Sequence, residues 1–426
     1  MNVKIAPKIL NGVINAPASK SEAHRILICA ALSDKKTKIY NLDKNNLNDD
    51  INATVNCLEA LGAGFEFEDN YVIVRPINKM LVSDKPHVLN CNESGSTLRF
   101  MLPVACALYN QVEFTGAGRL PERPLDDLLS VMKSHGVNFS SDKLPFKTQG
   151  RLNAGEFKIK GDVSSQYITG LLLAMPLLNN NNSKIILTSQ LKSADYVNIT
   201  LKVLRDFGVE VSLSNNIYEI ADKKFNSPES IRVGADWSSA AFYLAAGALG
   251  CDVSVGGLDV NSAQGDKKIL ELLKDFGADV YINEDKIKIN FNKLIARQID
   301  IDATPDLLLI LAVIAAYAQG ETVFYNAARL RLKESDRIKS ACDMINALGG
   351  QAEEQPDALI VRGSNFNKLT GGFVNGCNDH RIVMAAAIAA VNCNNEVVIS
   401  DCGAVSKSYI NFFDDYKRLG GAVSVV

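Results

Sequence analysis

Six glycines divide this chain into units of nearly equal length, and no fold that ignores that period can accommodate it. Each glycine closes a short amphipathic segment and opens an alternating one. The segments read Leu58-Glu59-Ala60-Leu61-Gly62, Met132-Lys133-Ser134-His135-Gly136, Leu204-Arg205-Asp206-Phe207-Gly208, Leu273-Lys274-Asp275-Phe276-Gly277, Ile345-Asn346-Ala347-Leu348-Gly349 and Tyr416-Lys417-Arg418-Leu419-Gly420. The glycines lie 74, 72, 69, 72 and 71 residues apart. Even spacing over six copies is the signature of a repeated supersecondary unit. Glycine suits these places because helices commonly end on a left-handed residue. The residues that follow, such as Val209 to Leu213, alternate as a half-buried strand does.

A second helical series interleaves with the first. It predicts six apolar helices starting near Glu22, Thr97, Gln166, Ser238, Asp306 and Arg381. A helix apolar on all sides belongs inside a domain. Each unit of about 71 residues, one sixth of the chain, therefore holds one surface helix, one buried helix and several strands. The most polar break, Ala221 to Ser230 with Pro228, falls between the third and fourth units and predicts a linker. Two similar α/β domains of three repeats each follow.

Composition narrows the function classes. The chain of 426 residues is 47% hydrophobic and 22% charged, ordinary for a globular protein. Its net charge is −3, and no basic tract suggests nucleic acid. The longest apolar run, Leu307 to Ala318, is too short for a membrane span of about twenty residues. It predicts a buried helix. The segment Met1 to Leu10 has no signal-peptide core. Nine scattered cysteines, with no zinc spacing, predict reduced and buried thiols of a cytoplasmic protein.

The starts of the buried helices carry small, polar or charged residues. Ser19 to Glu22 reads as a capping box. Glu93-Ser94-Gly95-Ser96-Thr97, Ser164-Ser165-Gln166, Asp236-Trp237-Ser238-Ser239 and Asp379-His380-Arg381 precede others. Helix amino ends attract anions, although the same residues are good caps with no ligand at all. Cations favour the anion reading. Lys20 and Arg25 flank the first start, Arg99 lies in the second helix and Arg381 opens the sixth. Arg123, Lys333, Arg337 and Lys407 fall in expected loops at recurring places.

With these motifs assembled, the chain resembles the 5-enolpyruvylshikimate-3-phosphate synthase family nearly end to end. The resemblance rests on Lys20-Ser21 with Arg25, Glu93 to Arg99, Glu122-Arg123-Pro124, Ser164-Ser165-Gln166, Lys333-Glu334-Ser335-Asp336-Arg337, Asn378-Asp379-His380-Arg381 and Lys407. It implies two domains of three βαβαββ units, an inside-out α/β barrel in each, that close on substrate. It implies that residues 1–13 join 231–426 and that 14–230 form the other domain. The reaction implied moves the enolpyruvyl group of phosphoenolpyruvate to the 5-hydroxyl of shikimate 3-phosphate, releasing phosphate. By resemblance, Lys20, Ser21, Arg25, Ser164, Ser165, Gln166, Ser193, Asp306 and Lys333 hold shikimate 3-phosphate. Lys20, Gly95, Arg123, Gln166, Arg337, Arg381 and Lys407 hold phosphoenolpyruvate. Asp306 is the implied base, Glu334 the implied acid, and Lys20 shares in proton transfer. No metal or organic cofactor, no membrane and a monomeric state are implied.

The charge arithmetic agrees. A phosphate monoester carries roughly −1.5 to −2 near neutral pH, so two phosphates and two carboxylates bring about five to six negative charges. Lys20, Arg25, Arg123, Lys333, Arg337, Arg381 and Lys407 supply the cations, and the arginine fork suits both anion types. Two carboxylates in different surroundings can divide the acid and base roles. Glu93, Phe100 and Arg329 stand where a common form of the family has asparagine, proline and asparagine. The competing readings are the related transferase acting on UDP-N-acetylglucosamine and a non-catalytic anion-binding protein. The first usually carries a reactive cysteine in the loop that here reads Thr115 to Arg123, without one. The second has no need of Asp306 and Glu334. Of the histidines, His24, His87 and His135 read as structural or surface residues, and His380 as a partner of Arg381.

Overall fold

A computed structural model describes residues 1–42, 44, 47–78, 87–178, 183–220, 224–283 and 285–426. The chain divides into two compact units, Ala18–Gly234 and Met1–Pro17 with Ala235–Val426. Pairing of strands explains where the divisions fall, a few residues later than expected. Asn11–Asn15 lies parallel to Asp252–Gly256, and Ser230–Arg232 lies parallel to Thr37–Tyr40. The segment expected to be a linker thus ends in a strand. Residues 221–223 of that segment lie outside the described residues.

Twelve α-helices occur among the described residues. The first unit holds α1 (Lys20–Leu32), α2 (Asp49–Ala60), α3 (Gly95–Leu108), α4 (Asp126–Ser134), α5 (Ser165–Ala174) and α6 (Ala194–Asp206). The second holds α7 (Trp237–Ala248), α8 (Ile269–Phe276), α9 (Leu308–Tyr317), α10 (Arg337–Ala347), α11 (His380–Ala389) and α12 (Phe412–Arg418). The odd-numbered helices are the expected apolar series, and every residue of α9 and α11 is buried. Full burial of a Leu or Ile side chain contributes about 1.5–3 kcal/mol, which makes these helices the centre of their unit. The even-numbered helices are amphipathic and end at the repeat glycines. All six of those glycines are left-handed, with φ of 99°, 94°, 79°, 111°, 83° and 87°. A side chain there would be strained.

Among the described residues, each unit carries three four-stranded sheets on its helices. One pattern recurs in all six: one parallel pair, extended by antiparallel partners. In the sheet of Gly372–Val374, Val397–Ile399, Val3–Ala6 and Ala422–Val425, the N-terminal strand supplies an interior member. Val3 faces both Ile399 and Val425. The N-terminal segment therefore completes two sheets of the second unit. Among the described residues, no helix is long and apolar enough to cross a membrane. All nine cysteines are unpaired; eight are buried and Cys377 is half-buried.

Candidate active site

In the unit 18–234, helix amino ends present the candidate residues. Ser19 caps α1, its hydroxyl accepting from Glu22 N at 3.4 Å. The two groups that would make the reciprocal half of the expected capping box both reach Gly234. Ser19 N donates to Gly234 O at 2.7 Å, and the Glu22 carboxylate accepts from Gly234 N at 2.8 Å. A backbone brought in by tertiary packing takes both groups that a local box would have paired.

Lys20, the first residue of α1, reaches Asp50 on α2 at 2.8 Å. Arg25 is 2% exposed and gathers neutral acceptors from three helices. It donates to Ser21 O (2.6 Å), Thr200 Oγ1 (2.8 Å), Tyr196 O (3.0 Å) and Thr169 Oγ1 (3.4 Å). Burial pulls it down to about 10, with Tyr196, Cys29 and Glu22 opposing, so it remains a cation at neutral pH. Its guanidinium also lies over the Phe100 ring, 4.9 Å from the centroid.

Gly95 opens α3 behind its Ser94 cap. A β-carbon at Gly95 would lie 2.6 Å from Arg99 Nη1 and 2.7 Å from Arg123 Nη1. Arg123, expected in a loop, follows a 3-10 turn at Leu120–Glu122. Gln166 is held at both ends: its oxygen accepts from Arg99 Nη1 and its nitrogen donates to Ser96 Oγ, each at 2.9 Å. Ser164 caps α5, where Ser165 is the first residue. Ser193 precedes α6 in a left-handed conformation, φ 52°.

In the unit of 1–17 and 235–426, the candidates converge on carboxylates. Asp306 lies in a 3-10 turn that leads into α9. It pairs with Arg337 at 2.7 Å, Arg381 at 3.1 Å and Lys333 at 3.8 Å. Arg337, expected in a loop, instead opens α10 and is 1% exposed. It also reaches Glu334 at 2.8 Å and Asp379 at 2.9 Å. Burial opposes its charge, but Asp379, Glu334 and Asp306 outweigh that and hold it well above the ordinary arginine range. Asp379 is fully buried, caps α11 and accepts from Ser335 Oγ. Burial pushes its carboxyl up, yet Arg337 and then His380 prevail and hold it below the usual range. Lys407, at the end of a 3-10 turn, donates to Asn378 O at 2.7 Å. His380 is 2% exposed.

Four of the expected cations, Lys20, Lys333, Arg337 and Arg381, thus share carboxylates of the chain itself, so the positive surplus is smaller than a count of basic residues suggests. Asp50 and Asp266 gave no signal in sequence. Asp50 reads as an ordinary acid in the first turn of a helix. Asp266 is 4% exposed and accepts a short hydrogen bond from the Ser238 hydroxyl at the start of α7. Burial, and then the charge of Asp306, push it up to about 7. No group of three or more potential metal ligands occurs among the described residues.

Each unit thus presents helix amino ends that carry arginine or lysine, which suit anions, and in the unit of 1–17 and 235–426 two carboxylates, Asp306 and Glu334, lie beside such cations, where they suit proton transfer. A family model described as EPSP synthase (3-phosphoshikimate 1-carboxyvinyltransferase) matches residues 5–416. A protein of Clostridium novyi named 3-phosphoshikimate 1-carboxyvinyltransferase is 40% identical, over 99% of this chain and 98% of its own. One of the same name from Clostridium perfringens is 41% identical, over 98% of each. Among solved structures, an EPSP synthase from Acinetobacter baumannii superposes with a TM-score of 0.83, at 23% identity and full coverage of both chains. The enolpyruvyl transferase NikO from Streptomyces tendae gives 0.77 at 16% identity, covering 99% and 98%. At such identities the structures speak for the fold, and the family model and the clostridial relatives carry the rest: the chain belongs to the EPSP synthase (3-phosphoshikimate 1-carboxyvinyltransferase) family.

Proposed function

We propose that this protein transfers the enolpyruvyl group of phosphoenolpyruvate to the 5-hydroxyl of shikimate 3-phosphate through an addition and an elimination, and that named residues divide the work. In the addition, Asp306 takes the hydroxyl proton as the oxygen bonds to C2 of phosphoenolpyruvate. Glu334 gives a proton to the methylene carbon, which becomes a methyl group, and Lys20 shares in proton transfer. In the elimination, the C2–O bond to phosphate breaks, phosphate leaves, and the methyl group returns a proton to the Glu334 carboxylate, restoring the double bond.

Ser21, Arg25, Ser164, Ser165, Ser193 and Lys333 bind shikimate 3-phosphate, together with Asp306. Gly95, Arg123, Arg337, Arg381 and Lys407 bind phosphoenolpyruvate, and Lys20 and Gln166 serve both. The observation that carries this reading is Asp306 held by Lys333, Arg337 and Arg381, with Glu334 on the same arginine. A carboxylate so placed is oriented before substrate arrives, and preorganised charge is the largest single source of transition-state stabilisation in many enzymes. The substrate anions would compete with Asp306 and Glu334 for those cations, loosening both acids for proton transfer. Unpaired cysteines suit a reducing cytoplasm, and the chain is taken to act as a monomer.

The test is phosphate release from phosphoenolpyruvate with shikimate 3-phosphate, run beside UDP-N-acetylglucosamine. Release with the first acceptor alone is expected. No release with it, or release with the second, overturns the assignment.

A further inference from the structure

We infer that a buried run of hydrogen bonds, His24–Thr54–Thr97–Ser94, is a positioning network for the phosphoenolpyruvate side of the site. It sets the amino end of α3, where Gly95 lies, against the Asp50–Lys20 pair. The inference rests on the assignment of Gly95 and Lys20 proposed above.

The four side chains come from three helices and from the cap of one of them. His24 of α1 lies 2.7 Å from Thr54 Oγ1 of α2, and Thr54 Oγ1 lies 2.7 Å from Thr97 Oγ1 of α3. Thr97 Oγ1 lies 2.8 Å from Ser94 Oγ and 3.2 Å from Asp50 O. Ser94 Oγ in turn accepts from Thr97 N at 3.2 Å. None of the four is more than 1% exposed. At the far end, the Asp50 carboxylate holds Lys20. The run therefore links the start of α3, where Gly95 is assigned to phosphoenolpyruvate, with Lys20, assigned to both substrates, through four side chains that water does not reach and the partly exposed Asp50.

The hydrogens can be placed along it. Burial, Lys20 and Arg25 hold His24 well below its ordinary range, so the ring is neutral and carries one proton. Its Nε2 has no partner among the described residues. A proton on Nδ1 avoids a buried, orphaned N–H and points at Thr54. Thr54 then donates to Thr97, and Thr97 to Ser94 or Asp50 O. Each threonine hydroxyl then donates once and accepts once, and a buried run with both hydroxyls so paired favours one arrangement of its helices. The edge of His24 against Phe100, at 6.1 Å between centroids, fixes the next turn of α3. Arg25 and its hydrogen-bond acceptors on α5 and α6 form a separate branch, which meets this network at α1 and at the Phe100 ring of α3 but shares none of its hydrogen bonds. Loss of the network should therefore weaken one substrate more than the other.

The experiment compares Thr97→Val, which removes the hydroxyl at nearly constant volume, with Thr97→Ser, which keeps it. Thr97→Val should raise KM for phosphoenolpyruvate about tenfold, the order expected for one lost buried hydrogen bond. KM for shikimate 3-phosphate should move less than about twofold, and Thr97→Ser should restore the wild-type values. Equal rises in both constants, no rise in either, or no restoration by serine overturns the inference. If Thr97→Val does not fold, nitrogen-15 NMR of wild-type His24 decides: a proton on Nε2 refutes the network as drawn, and one on Nδ1 supports it. If the wild-type protein releases no phosphate, the functional reading fails separately. Amide exchange at Ser96 and Thr97 then judges the network, which predicts faster exchange in Thr97→Val and is refuted by unchanged exchange.

Discussion

Replacing Arg337 with glutamine should destabilise the unit of 1–17 and 235–426, and acid should partly reverse the damage. Arg337 and Asp379 are both essentially inaccessible, at 1% and 0% exposure, and lie 2.9 Å apart. Removing one member of a buried pair leaves an uncompensated charge, at a cost of about 3–5 kcal/mol. Asp306 and Glu334 add less, because they are 15% and 24% exposed and Asp306 keeps Lys333 and Arg381. For a unit of this size the loss corresponds to a fall in Tm of about 6–20 °C. The sign of the pH dependence follows from Asp379. In the wild type its carboxyl is held below the unfolded value of about 3.9. Its stabilisation is present above that pH and is lost only in stronger acid. Without Arg337, burial raises the carboxyl instead, and stability is lost as pH climbs above about 4. The deficit of Arg337→Gln should then be largest at neutral pH and shrink toward pH 4.5. Urea titrations at both pH values test this. The single tryptophan, Trp237, is fully buried in the same unit and reports its unfolding. A deficit below about 1 kcal/mol at pH 7, or one that grows on acidification, would refute the argument.

Three further outcomes are expected. Glu334→Gln should lower turnover by about 10²–10⁴, the range for a lost general acid, with little change in either KM; near-normal turnover removes Glu334 from proton transfer. Gly95→Ala should raise KM for phosphoenolpyruvate by about tenfold or more, because its β-carbon would displace the ends of Arg99 and Arg123. Those ends are flexible, so stability measured by urea should move by less than about 1 kcal/mol. Asp266→Asn should flatten stability between pH 5 and 8. Its carboxyl is raised to about 7 by burial and by Asp306, so the wild type loses roughly 2–3 kcal/mol as pH rises through that window. An unchanged slope in the variant would count against it.

Much of the architecture was legible because its signals are local. A glycine closing an amphipathic helix reports a left-handed backbone, and all six repeat glycines adopt one. The apolar helices were legible for the same reason: a segment with no polar face has nowhere to go but inside. At the site, the residue types could be read and most positions at helix starts recur as expected. Lys333-Glu334-Ser335-Asp336 carries no periodicity, so Arg337 reads as a loop residue, while Asp336 in fact caps the helix that Arg337 opens.

By itself, the sequence determined the sixfold period, the two kinds of helix, the cations at helix starts and the kind of ligand they suit. Each follows from backbone preference or burial within a few residues. Only the tertiary structure decided which charges meet. It gave Asp50 to Lys20, set Asp306 among Lys333, Arg337 and Arg381, brought Gly234 to the Glu22 carboxylate, and raised Asp266 beside Asp306. An ion pair between residues distant along the chain leaves no mark on either neighbourhood, because its energy depends on a separation and a degree of solvation that exist only after folding.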